Sequence, residues 1–251
     1  MWVIANGAPK NGSTWIFQLL KRTNLFSPLP DAYQNSAWRN ESVADEYVDD
    51  CAKELGAVET RYTTKQHWSD SHDDLLKYPG IKVCNIIRDI RDVVVSRYHH
   101  QVRLRKYNKD ISAFVKENGE LYVRNTANYH THWINSPYSN EETYYITSYE
   151  YLSADDLKAG GELFDFVGLP LDEAQRKAAI EGSRFENKTS TGPESFFRKG
   201  QAFGFADEIS EAESQYLLDL ASKYRFKQAK QAIAEFNPAL RPYLQQTDLG
   251  L

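Results

Sequence analysis

The sequence predicts an α/β fold: a single domain with a central parallel sheet, a P-loop-like strand–loop–helix and helices on both faces. Three observations lead there. Short apolar runs at 2–6, Ile81–Ile87 and 143–147 alternate with segments of helical periodicity, the order expected of parallel strands joined by crossover helices. The Ile81–Ile87 run is almost continuously apolar, as in a strand buried on both faces. The first run passes through a Gly/Pro/Asn-rich turn, Gly7 to Gly12, straight into a helical pattern.

Each element follows in order. Ser13–Arg22 carries Trp15, Ile16, Leu19 and Leu20 at helical spacing. Residues 24–42 hold Pro28, Pro30 and several Asn and Ser without periodicity and read as a loop. Residues 43–55 look helical, 60–65 extended, and 69–77 a short helix stopped before Pro79 and Gly80. Helix is expected over 92–102 despite the strand-preferring Val93, Val94 and Val95, because packing overrides propensity. It is expected again over 111–135, interrupted near Asn118 and Gly119. Ser153 and Asp156 read as a capping box for a helix through Val167. Residues 183–209 read as a polar loop, and two further helices close the chain.

Composition bounds the function. The chain of 251 residues, 41% hydrophobic and 26% charged, is that of an ordinary globular protein. A net charge of −5 argues against a nucleic-acid binder, so an anionic ligand has to be held by a few placed cations and amides. The start turns polar too soon for a signal peptide and no 18-residue apolar run occurs, so a cytoplasmic protein without membrane attachment is expected. Cys51 and Cys84 cannot build a disulfide framework or a zinc motif, and Cys84 reads as a buried reduced thiol.

The turn before Ser13 lies where backbone N–H groups and a helix dipole favour an anion. The spacing of Gly7 and Gly12 matches the nucleoside-triphosphatase loop, but Ser13 stands where that loop needs Lys, and Lys10 lies three residues earlier. On its own this also admits the lesser reading of a plain strand–helix turn. The run Pro9-Lys10-Asn11-Gly12-Ser13-Thr14-Trp15, however, resembles the Pro-Lys-Ser-Gly-Thr-Thr-Trp loop of the cytosolic sulfotransferase family. That family uses 3′-phosphoadenosine-5′-phosphosulfate (PAPS) and releases 3′-phosphoadenosine-5′-phosphate (PAP). The resemblance implies that Lys10 meets the bridging and leaving oxygens. It also implies that Asn11, Gly12, Ser13 and Thr14 serve the 5′-phosphate and that Trp15 stacks on adenine.

Further blocks follow in family order. Arg88 at a strand end and Ser96 eight residues later are similar to the family's 3′-phosphate segment, although Asp89-Ile90-Arg91 replaces its usual Asn-Pro-Lys. Arg198, Lys199 and Gly200 resemble the Arg-Lys-Gly loop over the same phosphate. Tyr149 and the pair Ser183 and Phe185 lie in segments similar to those that border adenine. Lys65-Gln66-His67 resembles the family's Lys-Thr-His, implying His67 as general base and Lys65 as a partner of the sulfuryl oxygens. Without these neighbours His67 reads as a structural or surface histidine.

The resemblance thus implies sulfuryl transfer from PAPS to a hydroxyl of a small-molecule alcohol or phenol. No metal is expected, since His99, His100, His130 and His132 lack ligand spacing. His99 and His100 are placed at the border of the acceptor pocket. Phe26, Tyr33, Trp38, Tyr129, Trp133 and Phe203 are offered as its aromatic wall, with a stacked core as the other reading. The alternatives are a P-loop kinase and a PAP-binding module without catalysis; Lys10, Lys65 and His67 together speak against the latter.

Overall fold

The structure, a computed structural model, describes residues 1–34, 42–69, 72–184 and 202–246. Strands β1 (Trp2–Ala5), β2 (Tyr62–Lys65), β3 (Ile81–Ile87) and β4 (Tyr144–Ser148) form a sheet of order β2-β1-β3-β4 with every pairing parallel. All residues of β1 and β4 are buried, so both sheet faces are covered. The register sets Ala5 beside Lys65 and Cys84, and Ile87 beside Ser148. The carboxyl ends of all four strands therefore meet at one edge. Strand order reverses between β1 and β3, the place where open parallel sheets form a ligand crevice.

Two groups of helices cover the sheet. Helix α1 (Ser13–Arg22) buries Trp15, Ile16, Phe17, Leu19 and Leu20 and packs on α7 (Glu173–Ser183), which in turn packs on α6 (Asp156–Val167). Helices α3 (Ile90–Arg103), α4 (Ile111–Asn135), α8 (Glu211–Lys223) and α9 (Phe226–Phe236) pack on one another. Right-handed crossovers that leave β1 and β3 in opposite directions place the groups on opposite faces. Between them sits a core with one polar knot: Tyr129 donates to Asn85 Oδ1 at 2.8 Å, and Asn85 Nδ2 donates to the Tyr144 hydroxyl at 3.0 Å. Tyr129 and Trp133 belong to this core, only 2% and 0% exposed, in keeping with the stacked-core reading of those two.

Several elements depart from the sequence expectation. Helix α4 runs unbroken through Gly119, where a Cβ would come within 3.0 Å of Leu217 Cδ2; the glycine lets α8 approach and does not break the helix. Ser153 caps nothing: Ser148 caps α5 (Tyr149–Ala154) and Asp155 caps α6. Helix α2 begins late, at Val48–Ala57, after a 3₁₀ turn at Asp45–Tyr47. The helix expected over 69–77 is a 3₁₀ turn, Asp73–Lys77. Helix α7 was not foreseen, because only Ala179, Ile180 and Ser183 on it are buried and the rest is polar. A 3₁₀ turn, Gly204–Asp207, lies within the expected loop, and short α10 (Arg241–Gln245) follows the two closing helices. Cys51 and Cys84 are buried free thiols.

Candidate active site

The loop after β1 is built around two left-handed residues, Lys10 (φ 78°) and Gly12 (φ 116°). Only glycine serves at position 12, since a Cβ there would meet Tyr149 Cδ2 at 2.9 Å and Ile86 Cδ1 at 3.0 Å. Gly12 supplies no side chain to cap α1, and no acid stands in the first turn of that helix. The positive end of α1, at Ser13 and Thr14, is therefore left for an outside anion. The Asn11 side chain is wholly buried, with Oδ1 3.2 Å from His130 Nε2, and its backbone N–H is spent on Ala8 O, which leaves the buried Nδ2 as its donor without a hydrogen bond among the described residues.

The end of β2 is clamped beside this loop. Gln66 N–H donates to Ala5 O at 3.1 Å, and Asn6 binds the Trp68 backbone twice, Nδ2 to the carbonyl at 3.1 Å and Oδ1 from the amide at 3.0 Å. His67 is fixed between these anchors with Nδ1 2.7 Å from Gly7 O. A carbonyl only accepts, so Nδ1 carries the proton and Nε2 keeps its lone pair. The imidazole is exposed to solvent yet closely surrounded by protein. That surrounding, followed by the charges of Lys65, Arg97 and Lys10, pushes its pKa down to about 4 against the pull of the Gly7 bond. His67 is neutral at physiological pH.

Beyond β3, the Arg88 guanidinium lies 4.0 Å from the Tyr149 ring centre and 3.3 Å from Asp92 Oδ2. Tyr149 meets Trp15 edge-on at 5.3 Å, and the Trp15 indole donates to Ser183 Oγ at 3.3 Å. Trp15, Tyr149, Arg88, Ser183 and Gly12 thus form one contiguous patch, with Trp15, Tyr149 and Ser183 buried. Ser96 is half-buried, one turn beyond Asp92 on α3. Asp92 also accepts the N–H groups of Phe203 at 2.8 Å and Phe205 at 2.9 Å. Asp89 caps α3 and pairs with buried Arg91 at 2.8 Å, the structural helix-cap reading of that Arg/Asp cluster. Phe185, Arg198, Lys199 and Gly200, like Trp38, lie outside the described residues.

Electrostatics single out the centre. Burial, then the charges of Arg97, Arg103, Arg88 and Lys65, push Lys10 down to about 8. Burial, with Lys10, Arg103, Arg97 and Lys106, likewise pushes His100 down to about 4. In a chain of net charge −5 this convergence of cations marks an anion site. Sequence reading missed Arg97 and Arg103; their signal is the three-residue spacing Arg97, His100, Arg103 along α3. It also missed Asn6, whose side chain sets the position of His67. His99 is taken up by Glu208. Among the described residues no group of three or more His, Cys, Asp or Glu is arranged to hold a metal ion, and no helix is long and apolar enough to cross a membrane.

Comparison with known proteins decides the class. The profile described as "Sulfotransferase domain" matches residues 2–229. The chain belongs to the sulfotransferase family. No curated protein sequence matches this sulfotransferase. Among solved structures, mouse sulfotransferase SULT7A1 complexed with PAP is similar in fold, with TM-score 0.65 and 16% identity over 92% of this chain and 88% of that one. Retinol dehydratase in complex with androsterone and the inactive cofactor PAP matches with TM-score 0.63 and 18% identity, over 89% and 80%. A sulfotransferase from Alicyclobacillus acidocaldarius matches with TM-score 0.54 and 12% identity, over 93% and 94%.

Proposed function

We propose that this sulfotransferase moves the sulfuryl group of PAPS onto the hydroxyl of a small-molecule alcohol or phenol, giving PAP and a sulfate ester. The carrying observation is His67: with Nδ1 committed to Gly7 O, an unprotonated Nε2 stands beside clustered cations. The residues fit a polyanionic co-substrate, since Lys10 is held among like charges that an anion would relieve. Two of the fold neighbours are complexes with PAP, which agrees with that fit.

His67 takes the acceptor's proton on Nε2 as the acceptor oxygen bonds to sulfur. The bond from sulfur to the bridging phosphate oxygen breaks, and its electron pair leaves with the nucleotide. Lys10 offsets that departing charge and Lys65 the charge on the sulfuryl oxygens. Gly12, Ser13 and Thr14 hold the 5′-phosphate, Arg88 and Ser96 the 3′-phosphate, and Trp15, Tyr149 and Ser183 border adenine. Phe185, Arg198, Lys199 and Gly200 keep their proposed nucleotide contacts on the family resemblance, whereas Asn11 is reassigned to holding the loop on His130. We assign the whole chain to one domain acting in the cytoplasm, consistent with two unpaired buried cysteines.

The kinase alternative asks a strand-end Asp to hold magnesium; Asp89 is instead spent on Arg91 and on capping α3. Turnover of PAPS with a simple phenol such as 2-naphthol tests the proposal. PAP should raise Tm well beyond AMP, because ligand affinity adds to stability by mass action. Equal shifts with AMP and PAP would remove the 3′-phosphate subsite. A rate abolished by EDTA and restored by magnesium would favour the kinase.

A further inference from the structure

The donor reading employs Lys10, Lys65, Arg88 and the amides of α1, and leaves Arg97, His100 and Arg103 without a task. These three follow one another down a slanted stripe of α3 beyond Ser96. Arg103 Nη2 lies 3.0 Å from His100 Nδ1. A guanidinium only donates, so Nδ1 accepts and His100 Nε2 presents an N–H. Arg97 is planted over the Tyr122 ring at 5.1 Å, and no carboxylate pairs with it among the described residues. Two described acids on or against α3 are engaged elsewhere: Asp92 holds Arg88 and two backbone amides, and Glu208 holds His99.

The stripe lies at the end of the cluster that holds the base. Arg97 and Arg103 bear on Lys10 more strongly than Arg88 or Lys65 does. Arg97 also ranks among the strongest charges on His67, and Arg97 and Arg103 among those on His100; Arg88 does neither. Arg88 sits with Tyr149 and Trp15, on the side assigned to the nucleotide. Arg97 is a charge at the base end beyond what the donor needs, and such a charge is unfavourable unless an anion joins it.

We infer that the acceptor is itself anionic, bearing a carboxylate or a phosphate or sulfate ester that Arg97, His100 and Arg103 hold while its hydroxyl faces His67 Nε2. The inference rests on the sulfuryl-transfer reading for the word acceptor; the anion site stands on α3 alone. Binding to PAP-loaded protein is therefore the readout, with 4-hydroxyphenylacetate, its methyl ester and 4-hydroxyphenyl phosphate as probes. Both anions should bind about ten- to hundredfold tighter than the ester, the scale of hydrogen bonds to charged groups. The phosphate-to-carboxylate ratio tells which anion the site prefers.

Arg97→Gln and Arg103→Gln should each erase most of the anion's advantage while the thermal shift caused by PAP stays as in the parent. Should either fail to fold, Arg97→Lys, which keeps the charge but loses the planar fork, should retain part of the preference. An ester that binds as well as the acid overturns the inference. So does a loss of PAP binding in the Gln variants equal to the loss of anion binding, which would return these cations to the nucleotide. Anion preference without PAPS turnover would keep this site and remove the transferase mechanism.

Discussion

Replacing Lys10 by Met separates folding stability from function. Lys10 is less than half exposed, and its pKa falls from 10.5 to about 8, chiefly through burial and then through four neighbouring cations. At 1.36 kcal/mol per pKa unit, that fall makes its charge unfavourable by about 3 kcal/mol at neutral pH. Met keeps the aliphatic stem and removes the charge. The ligand-free Lys10→Met protein should therefore be more stable than the parent by about 1–3 kcal/mol, or roughly 3–10 °C in Tm. The pH dependence fixes the sign. Because the folded pKa lies below the unfolded one, the unfolded chain binds the proton more tightly. Stability of the parent then rises as pH climbs from about 8 to 10.5, and its deficit against the variant closes over that window. Adding PAP reverses the order, since an anion beside Lys10 restores its proton. At pH 8 the parent should take up about half a proton per PAP bound, measurable by calorimetry in buffers of different ionisation enthalpy. A ligand-free variant less stable than the parent, with the same response to PAP, would refute the reasoning.

Three further outcomes follow from the same geometry. His67→Ala should lower turnover by about a hundredfold or more while PAP affinity stays nearly unchanged, and with the His67 pKa at about 4 the parent's rate should show no His67 limb between pH 5 and 8. Arg88→Ala should weaken PAP by about 1.5–3 kcal/mol and AMP far less, read by titration calorimetry. Gly12→Ala should lose PAP binding, because its Cβ collides with Tyr149 and Ile86 at a left-handed φ; unchanged affinity would show that the loop is not the 5′-phosphate cradle.

Legibility tracked local contrast. β3 and α1 were readable to the residue because each begins or ends at a Gly, Pro or Arg that changes the pattern abruptly. Gly119 misled because its helical position is dictated by Leu217 on another helix, which no local window contains. Helix α7 was hidden by its polarity. The Lys65-to-Arg88 order put His67 and Arg88 just past the ends of β2 and β3, whereas the contact of Asn11 with His130 joins residues that no local window contains. Arg97 and Arg103 were visible as charges, and only the fold brings those charges to bear on Lys10.

The in-register carboxyl edge has a kinetic corollary. Loop residues 7–15, Lys65 and His67, Arg88, and Tyr149 come from distant stretches of chain, and each reaches the centre only when its own parallel strand has docked. Parallel pairings of high sequence separation form late and slowly. A partly assembled chain therefore holds only fragments of the centre: an intermediate lacking β2 has the loop after β1 without His67, and one lacking β4 has Arg88 without Tyr149. Nucleotide binding during refolding should appear in a single late phase, together with the last of the tertiary signal, and a polyanion present from the start should slow unfolding more than it speeds folding.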